Sequence, residues 1–210
     1  MSSNEILLKS SRLYLILDTE VADYSRLLTI AEKAASSGAD IVQLRDKKGS
    51  AKDILKFSKN ILKILREKIP YIVNDRVDLA LVTDAQGVHL GQDDLDIGFA
   101  RRLMGKKAVI GASCQTLQAA KEAEAEGADY IGFGSVFETF TKPGRSPMDL
   151  NVLKEVINKI KIPVFPIGGI NQENIKNLLQ IGIKRAAVCR AILQSQDTGM
   201  ATKSFADLLR

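Results

Sequence analysis

Between residues 71 and 94 the chain carries two polar clusters, each at the end of an apolar run. YIV leads into Asn74-Asp75-Arg76, and GVHL leads into Gly91-Gln92-Asp93-Asp94. Two carboxylates after successive strands suit a hard cation, or a pair of acids doing chemistry. Mg²⁺ is held by one or two carboxylates together with phosphate oxygens and water, so Asp75 and Asp94 are candidate ligands. Upstream, Gln43, Arg45 and Lys47 alternate along another apolar segment. A period of two puts all three on one face, where a guanidinium and an ammonium can grip a diphosphate. Downstream, Gly168-Gly169 ends a further apolar run, and turns of this kind hold phosphate through backbone N–H groups. Together these residue types suit a phosphorylated substrate handled with a metal ion.

Each feature also has a plainer reading. Asp75 could cap the next helix, Asp93-Asp94 could be a solvated turn, and Gly168-Gly169 could be a tight turn only. His89 is the single histidine and lies inside an apolar strand, which reads as a satisfied core side chain. Cys114 and Cys189 read as small hydrophobes.

The elements that must position these residues follow a regular alternation. Strands are expected at 13–18, 41–45, 71–75, 87–90, 108–113, 130–134, 164–169 and 185–190. They are short, largely apolar and end in Gly or a polar residue, as strands of a parallel sheet covered on both faces do. Helical patterns lie between them. AKDILKFSKNILKILREKI has a stripe of Ile54, Leu55, Ile61, Leu62 and Leu65 opposite Lys and Glu. TLQAAKEAEAEG runs from a Thr116 cap to a Gly127 stop, and NQENIKNLLQIG from Asn171 to Gly182. AEKAASSGADIVQLR and AAKEAEAEGADYIGFG share helix, Gly-Ala-Asp and strand, the mark of a repeated unit. Eight units of about 26 residues fit a single-domain (β/α)₈ TIM barrel over 1–210, with 1–10 as an N-terminal extension. An open doubly wound sheet is the alternative, but no Gly-x-Gly-x-x-Gly follows the first strand. In the barrel Gln43, Arg45, Lys47, Asn74, Asp75, Asp93, Asp94, Gly168 and Gly169 fall at or just after the C-terminal ends of the strands, where such folds keep their sites.

Composition narrows the function classes. The 210 residues are 45% hydrophobic and 26% charged, as in ordinary globular chains. Two distant cysteines argue against a disulfide framework and for a reducing cytoplasm. The first residues lack the basic and apolar regions of a signal peptide, and no run approaches the ~18 apolar residues of a membrane span. A net charge of +5 is spread along the chain, with four Tyr and no Trp for base stacking. That points to small anionic substrates rather than nucleic acid. Monomer and homo-oligomer both stay open.

Lined up in order, VQLRDK (42–47), YIVNDRVDLA (71–80), GVHLGQDDL (87–95), IGAS (110–113), GADYIGFGSVFETFTK (127–142) and PIGGI (166–170) make the chain resemble thiamine-phosphate synthases over nearly its whole length. The resemblance implies a transferase. It would join a hydroxymethylpyrimidine diphosphate to a thiazole phosphate, plain or carboxylated, and release pyrophosphate by a dissociative, Mg²⁺-assisted path. It implies a pyrimidine diphosphate site formed by the segment Gln43, Leu44, Arg45, Asp46 and Lys47 with Asn74 and Lys142. Ser113 resembles the hydroxyl near the reacting pyrimidine, and Ser113, Lys142 and Arg45 are the implied catalytic residues. Asp75 and Asp94 resemble the Mg²⁺ ligands, with Asp94 preferred to Asp93. Thr139, Phe140, Thr141, Gly169, Cys189 and Arg190 resemble the thiazole phosphate site.

The chain departs from the family pattern in places. Cys189-Arg190 stands where Val-Ser is common, Gln115 where His is, and KPGRSPMDL is a shorter loop. VFET resembles the thiazole tautomerases, a sister group of isomerases, although a neutral amide at position 115 cannot move protons as an imidazole does. A barrel that binds ligand without turnover is the third alternative.

Overall fold

The structure, a computed structural model, describes residues 3–66, 68–139 and 147–210. The chain begins with α1 (Ser3–Ser10), β1 (Leu13–Asp18), α2 (Tyr24–Ser37), β2 (Ile41–Arg45) and α3 (Ala51–Leu65). It continues with β3 (Tyr71–Asn74), α4 (Val77–Val82), β4 (Gly87–Leu90), α5 (Ile97–Met104) and β5 (Val109–Cys114). Next come α6 (Leu117–Ala125), β6 (Tyr130–Gly134), α7 (Leu150–Lys159) and β7 (Val164–Ile167). The chain ends with α8 (Ile175–Gln180), β8 (Ala186–Val188), α9 (Arg190–Leu193) and α10 (Thr198–Leu209). The strands pair in chain order, all parallel, and β8 returns to β1 to close a (β/α)₈ barrel.

Alternation along the strands divides the apolar residues into two cores. Leu13, Leu15 and Leu17 of β1 point outward and join Val42, Leu44, Val73 and Val88 beneath the helices. Tyr14 and Ile16 point inward and meet Ile41, Ile72, Val109, Tyr130 and Phe165 inside the barrel. The inner core is the smaller, because the converging strands leave room for few large rings. Gly111 supplies part of that room: a Cβ there would lie 2.1 Å from the Tyr130 ring. Leu8 of α1 is buried in this inner core, so the segment expected only as an extension closes the bottom of the barrel.

The helices begin where polar side chains can satisfy free N–H groups. Asp23 accepts from Arg26 N at 2.8 Å, Ser50 from Asp53 N at 3.2 Å and Thr116 from Ala119 N at 3.1 Å. Each such cap contributes about 1 kcal/mol. α3 buries Ile54, Ile61 and Leu65 as its stripe requires, and Phe57 and Ser58 with them. α8 starts later than expected. Asn171 folds its side chain onto the N–H groups of Glu173 and Asn174, making a turn that delays the helix.

β3, β5, β7 and β8 differ from their expected limits by one or two residues at one or both ends. At β3 the cause is Asp75, whose φ of 63° takes the chain out of extended geometry. No described helix is long and apolar enough to cross a membrane.

Candidate active site

The C-terminal ends of the strands surround a cavity of about 580 Å³. Its floor is the top of the inner core, formed by Tyr14, Ile16, Tyr130, Phe165 and Ile167. Its walls carry the polar residues. Gln43, Arg45 and Lys47 all line it, although β2 ends at Arg45 and Lys47 continues the alternation from the following loop. Leu44 and Asp46, which alternate with them, do not line it. Leu44 is 1% exposed in the outer core. Asp46 staples its own loop by accepting from Tyr24 Oη and from the N–H groups of Lys48 and Gly49. Burial alone would raise its carboxyl, but the hydrogen bonds from Tyr24, Gly49 and Lys48 outweigh that and hold it below the usual range.

Arg45 is aimed by a neighbouring strand. In the β1–β2 register Asp18 lies beside Arg45, and its fully buried carboxylate accepts from the guanidinium at 2.9 Å. Glu20 adds a longer contact of 3.4 Å. Arg45 Nε is buried and meets no acceptor among the described residues. A buried donor of this kind is costly unless an anion or water supplies the missing partner.

The two acid clusters meet because β3 and β4 end side by side. Asp75 N donates to the His89 carbonyl at 2.8 Å, which fixes the left-handed turn at Asp75. Its side chain does not cap α4, which has no side-chain cap. Instead the carboxylate pairs with Lys47 and lies in hydrogen-bonding range of Asp94. Asp94 in turn accepts from Gly91 N at 2.7 Å, while Asp93 is exposed. Burial is the main cause that raises the Asp75 carboxyl above its usual range. The Asp94 carboxylate adds to it, and Lys47 opposes it. Two facing carboxylates under strain from their like charge are relieved by a cation, and this donor set suits Mg²⁺ completed by phosphate and water. No cluster of three or more His, Cys, Asp or Glu side chains occurs among the described residues, so a metal held by protein atoms alone has no such cage there.

The opposite rim is built from backbone turns. Gly168 and Gly169 have φ of 103° and 63°, and a Cβ on Gly169 would lie 2.1 Å from the Glu138 carbonyl. Asn174 Nδ2 donates to the Gly169 carbonyl at 2.8 Å and pins the turn. Asn74, Ser113, Thr139, Gly169, Cys189 and Arg190 all line the cavity. Phe140, Thr141 and Lys142 lie outside the described residues. Burial pushes the Cys189 thiol up to about 12, with the Asp18 charge adding to the effect. Gln115 is exposed and does not line the cavity.

His89 has both ring nitrogens bonded, to Tyr130 Oη at 3.0 Å and Ser113 Oγ at 2.9 Å. That is the satisfied histidine expected from the sequence, but it also stands in the cavity wall. The aromatic floor was not anticipated. Its one local signal is that Tyr14, Tyr130 and Phe165 occupy inward positions of their strands, which becomes meaningful only once the barrel is closed.

Comparison with known proteins agrees with this geometry. The family model for thiamine monophosphate synthase matches residues 13–192. A thiamine-phosphate synthase of Clostridium novyi (strain NT) is 41% identical over 94% of this chain and 98% of the relative. One of Gloeobacter violaceus is also 41% identical, over 96% of this chain but 58% of the relative's length. The solved thiamine phosphate pyrophosphorylase from Pyrococcus furiosus superposes with a TM-score of 0.86 at 33% identity, covering 99% of this chain and 98% of that one. The chain belongs to the thiamine monophosphate synthase family.

Proposed function

We propose that the protein condenses 4-amino-2-methyl-5-hydroxymethylpyrimidine diphosphate with 4-methyl-5-(2-phosphoethyl)thiazole, or its carboxylated form, to give thiamine phosphate and pyrophosphate. The observation that carries this reading is the joining of Arg45, with its partnerless buried Nε, to Lys47 and Asp75 at one side of a single cavity, with Asp94 beside Asp75 behind that wall. That side can take a diphosphate, and the Gly168-Gly169 turn with Cys189 and Arg190 on the other rim can take the thiazole phosphate.

The C–O bond between the pyrimidine methylene and the diphosphate breaks, and its electron pair leaves with pyrophosphate. The thiazole nitrogen lone pair then forms the new C–N bond to the pyrimidine carbocation. Arg45 and Lys47 stabilise the charge that grows on the leaving group, already oriented by Asp18 and Asp75 before substrate arrives. Asp75 and Asp94 would hold Mg²⁺, which supplies further charge neutralisation on the diphosphate when bound. Ser113 orients the pyrimidine, and the aromatic floor excludes water that would capture the cation. Phe140, Thr141 and Lys142 keep their implied roles on the resemblance alone. A cytoplasmic setting suits the two free thiols, Cys114 and Cys189.

Pyrophosphate release from purified protein tests the reading. Release is expected only with both substrates and Mg²⁺ present, and excess EDTA should stop it. No release from folded protein would favour the isomerase or the binding barrel instead.

A further inference from the structure

A chain of hydrogen bonds crosses the cavity floor from one candidate substrate contact to the other. Gln43 Nε2 donates to Tyr14 Oη at 2.9 Å, and Tyr14 Oη meets Tyr130 Oη at 2.7 Å. Tyr130 Oη meets His89 Nδ1 at 3.0 Å, and His89 Nε2 meets Ser113 Oγ at 2.9 Å. Five strands contribute one member each: β2, β1, β6, β4 and β5. Tyr14 and Tyr130 are fully enclosed, and burial raises both phenols, so each keeps its proton at neutral pH.

The direction of the chain follows from proton counting. The Gln43 NH₂ can only donate, so the Tyr14 oxygen accepts. The Tyr14 proton then has one acceptor, the Tyr130 oxygen. If Tyr130 also donated to Tyr14, the Tyr14 proton would be left buried with no partner. Leaving a buried donor without a partner disfavours that arrangement by roughly tenfold or more in population. Tyr130 therefore gives its proton to His89 Nδ1. A neutral imidazole with Nδ1 accepting carries its proton on Nε2, and Nε2 donates to Ser113 Oγ. Ser113 is half-exposed at the cavity, and with its oxygen accepting from His89 its own proton is directed to whatever the cavity holds.

We propose that Tyr14, Tyr130 and His89 are positioning residues that hold His89 as the Nε2–H tautomer and thereby make the Ser113 hydroxyl a hydrogen-bond donor to a ring-nitrogen acceptor on the bound pyrimidine. The catalytic half of this rests on the function proposed above; the tautomer does not.

His89 is the only histidine, so one set of imidazole ¹⁵N resonances reports on it without assignment. In histidine-labelled protein at neutral pH, Nε2 is expected to show the protonated, pyrrole-type shift and Nδ1 the bare, pyridine-type shift. Tyr130→Phe removes the donor to Nδ1 without changing the ring, and the pattern should move toward a mixture. In turnover, Tyr130→Phe should lower kcat/KM for the pyrimidine diphosphate about tenfold, the loss of one hydrogen bond, and leave the thiazole phosphate KM unchanged. His89→Gln, which keeps a donor for Ser113, should retain more activity than His89→Leu. A proton on Nδ1 in the unaltered protein overturns the proposal, whatever the protein makes. So does full activity of His89→Leu where Ser113→Ala is impaired. Normal turnover by Ser113→Ala would instead remove the catalytic role of Ser113 itself, and the resonances would still decide the tautomer.

Discussion

Replacing Asp18 with Asn should destabilise the protein and make it more responsive to pyrophosphate. Asp18 is fully buried, does not line the cavity and holds Arg45 at 2.9 Å, with the Arg45 side chain only 12% exposed. Removing one partner of a buried pair costs about 3–5 kcal/mol, because the remaining charge loses its compensation. The 3.4 Å contact to Glu20 and the small exposure of Arg45 put the expected loss at the lower end, about 3 kcal/mol. For a chain of this size that lowers Tm by roughly 6–12 °C. Pyrophosphate with Mg²⁺ would supply the missing negative charge to the variant, so its stabilising effect should be larger there than in the unaltered protein. Urea unfolding with and without pyrophosphate measures both quantities. A loss below about 1 kcal/mol, or equal stabilisation of the two proteins by pyrophosphate, would refute the idea that Asp18 and the diphosphate share Arg45.

Asp75→Asn keeps a residue that tolerates the φ of 63° but removes the charge. Turnover should fall about a hundredfold or more while Tm holds within a few degrees, and near-normal turnover would exclude Asp75 as a ligand. Gly111→Ala should cost about 1–3 kcal/mol on thermal unfolding, since its Cβ would meet the Tyr130 ring at 2.1 Å; an unchanged Tm would show that Tyr130 moves freely. Burial pushes the Cys114 and Cys189 thiols to about 12, so both stay protonated at pH 8 and thiolate forms only as pH rises toward that value. A disulfide reagent at pH 8 should react slowly with native protein and at once after denaturation; fast reaction of two native thiols would contradict this.

The barrel was legible in the sequence because each strand is an apolar run ending in Gly or a polar residue, and those ends are where the cavity opens. Asp75 and Asp94 could be paired in advance because successive parallel strands finish side by side. The Gln43–Arg45–Lys47 alternation placed three lining residues and, followed strictly, would have set Leu44 and Asp46 apart from them. What was hidden depends on closure. Asp18 becomes the partner of Arg45 only in the β1–β2 register. The Tyr14–Tyr130–His89 chain joins residues far apart in sequence, and Ser58, which looks like a break in the α3 stripe, is buried against Tyr71 Oη at 2.9 Å.

The seal made by Leu8 has a consequence for how the molecule is born. During synthesis α1 and β1 are made well before β8, the strand that closes the barrel against β1. Until then the interior that receives Leu8 has an open wall, and α1 has nowhere permanent to dock. α1, made before every strand of the barrel, is therefore among the last elements to find its place. A nascent chain stalled before β8 would show a free N-terminal helix and an unguarded edge on β1, the surfaces that chaperones and stray strands recognise.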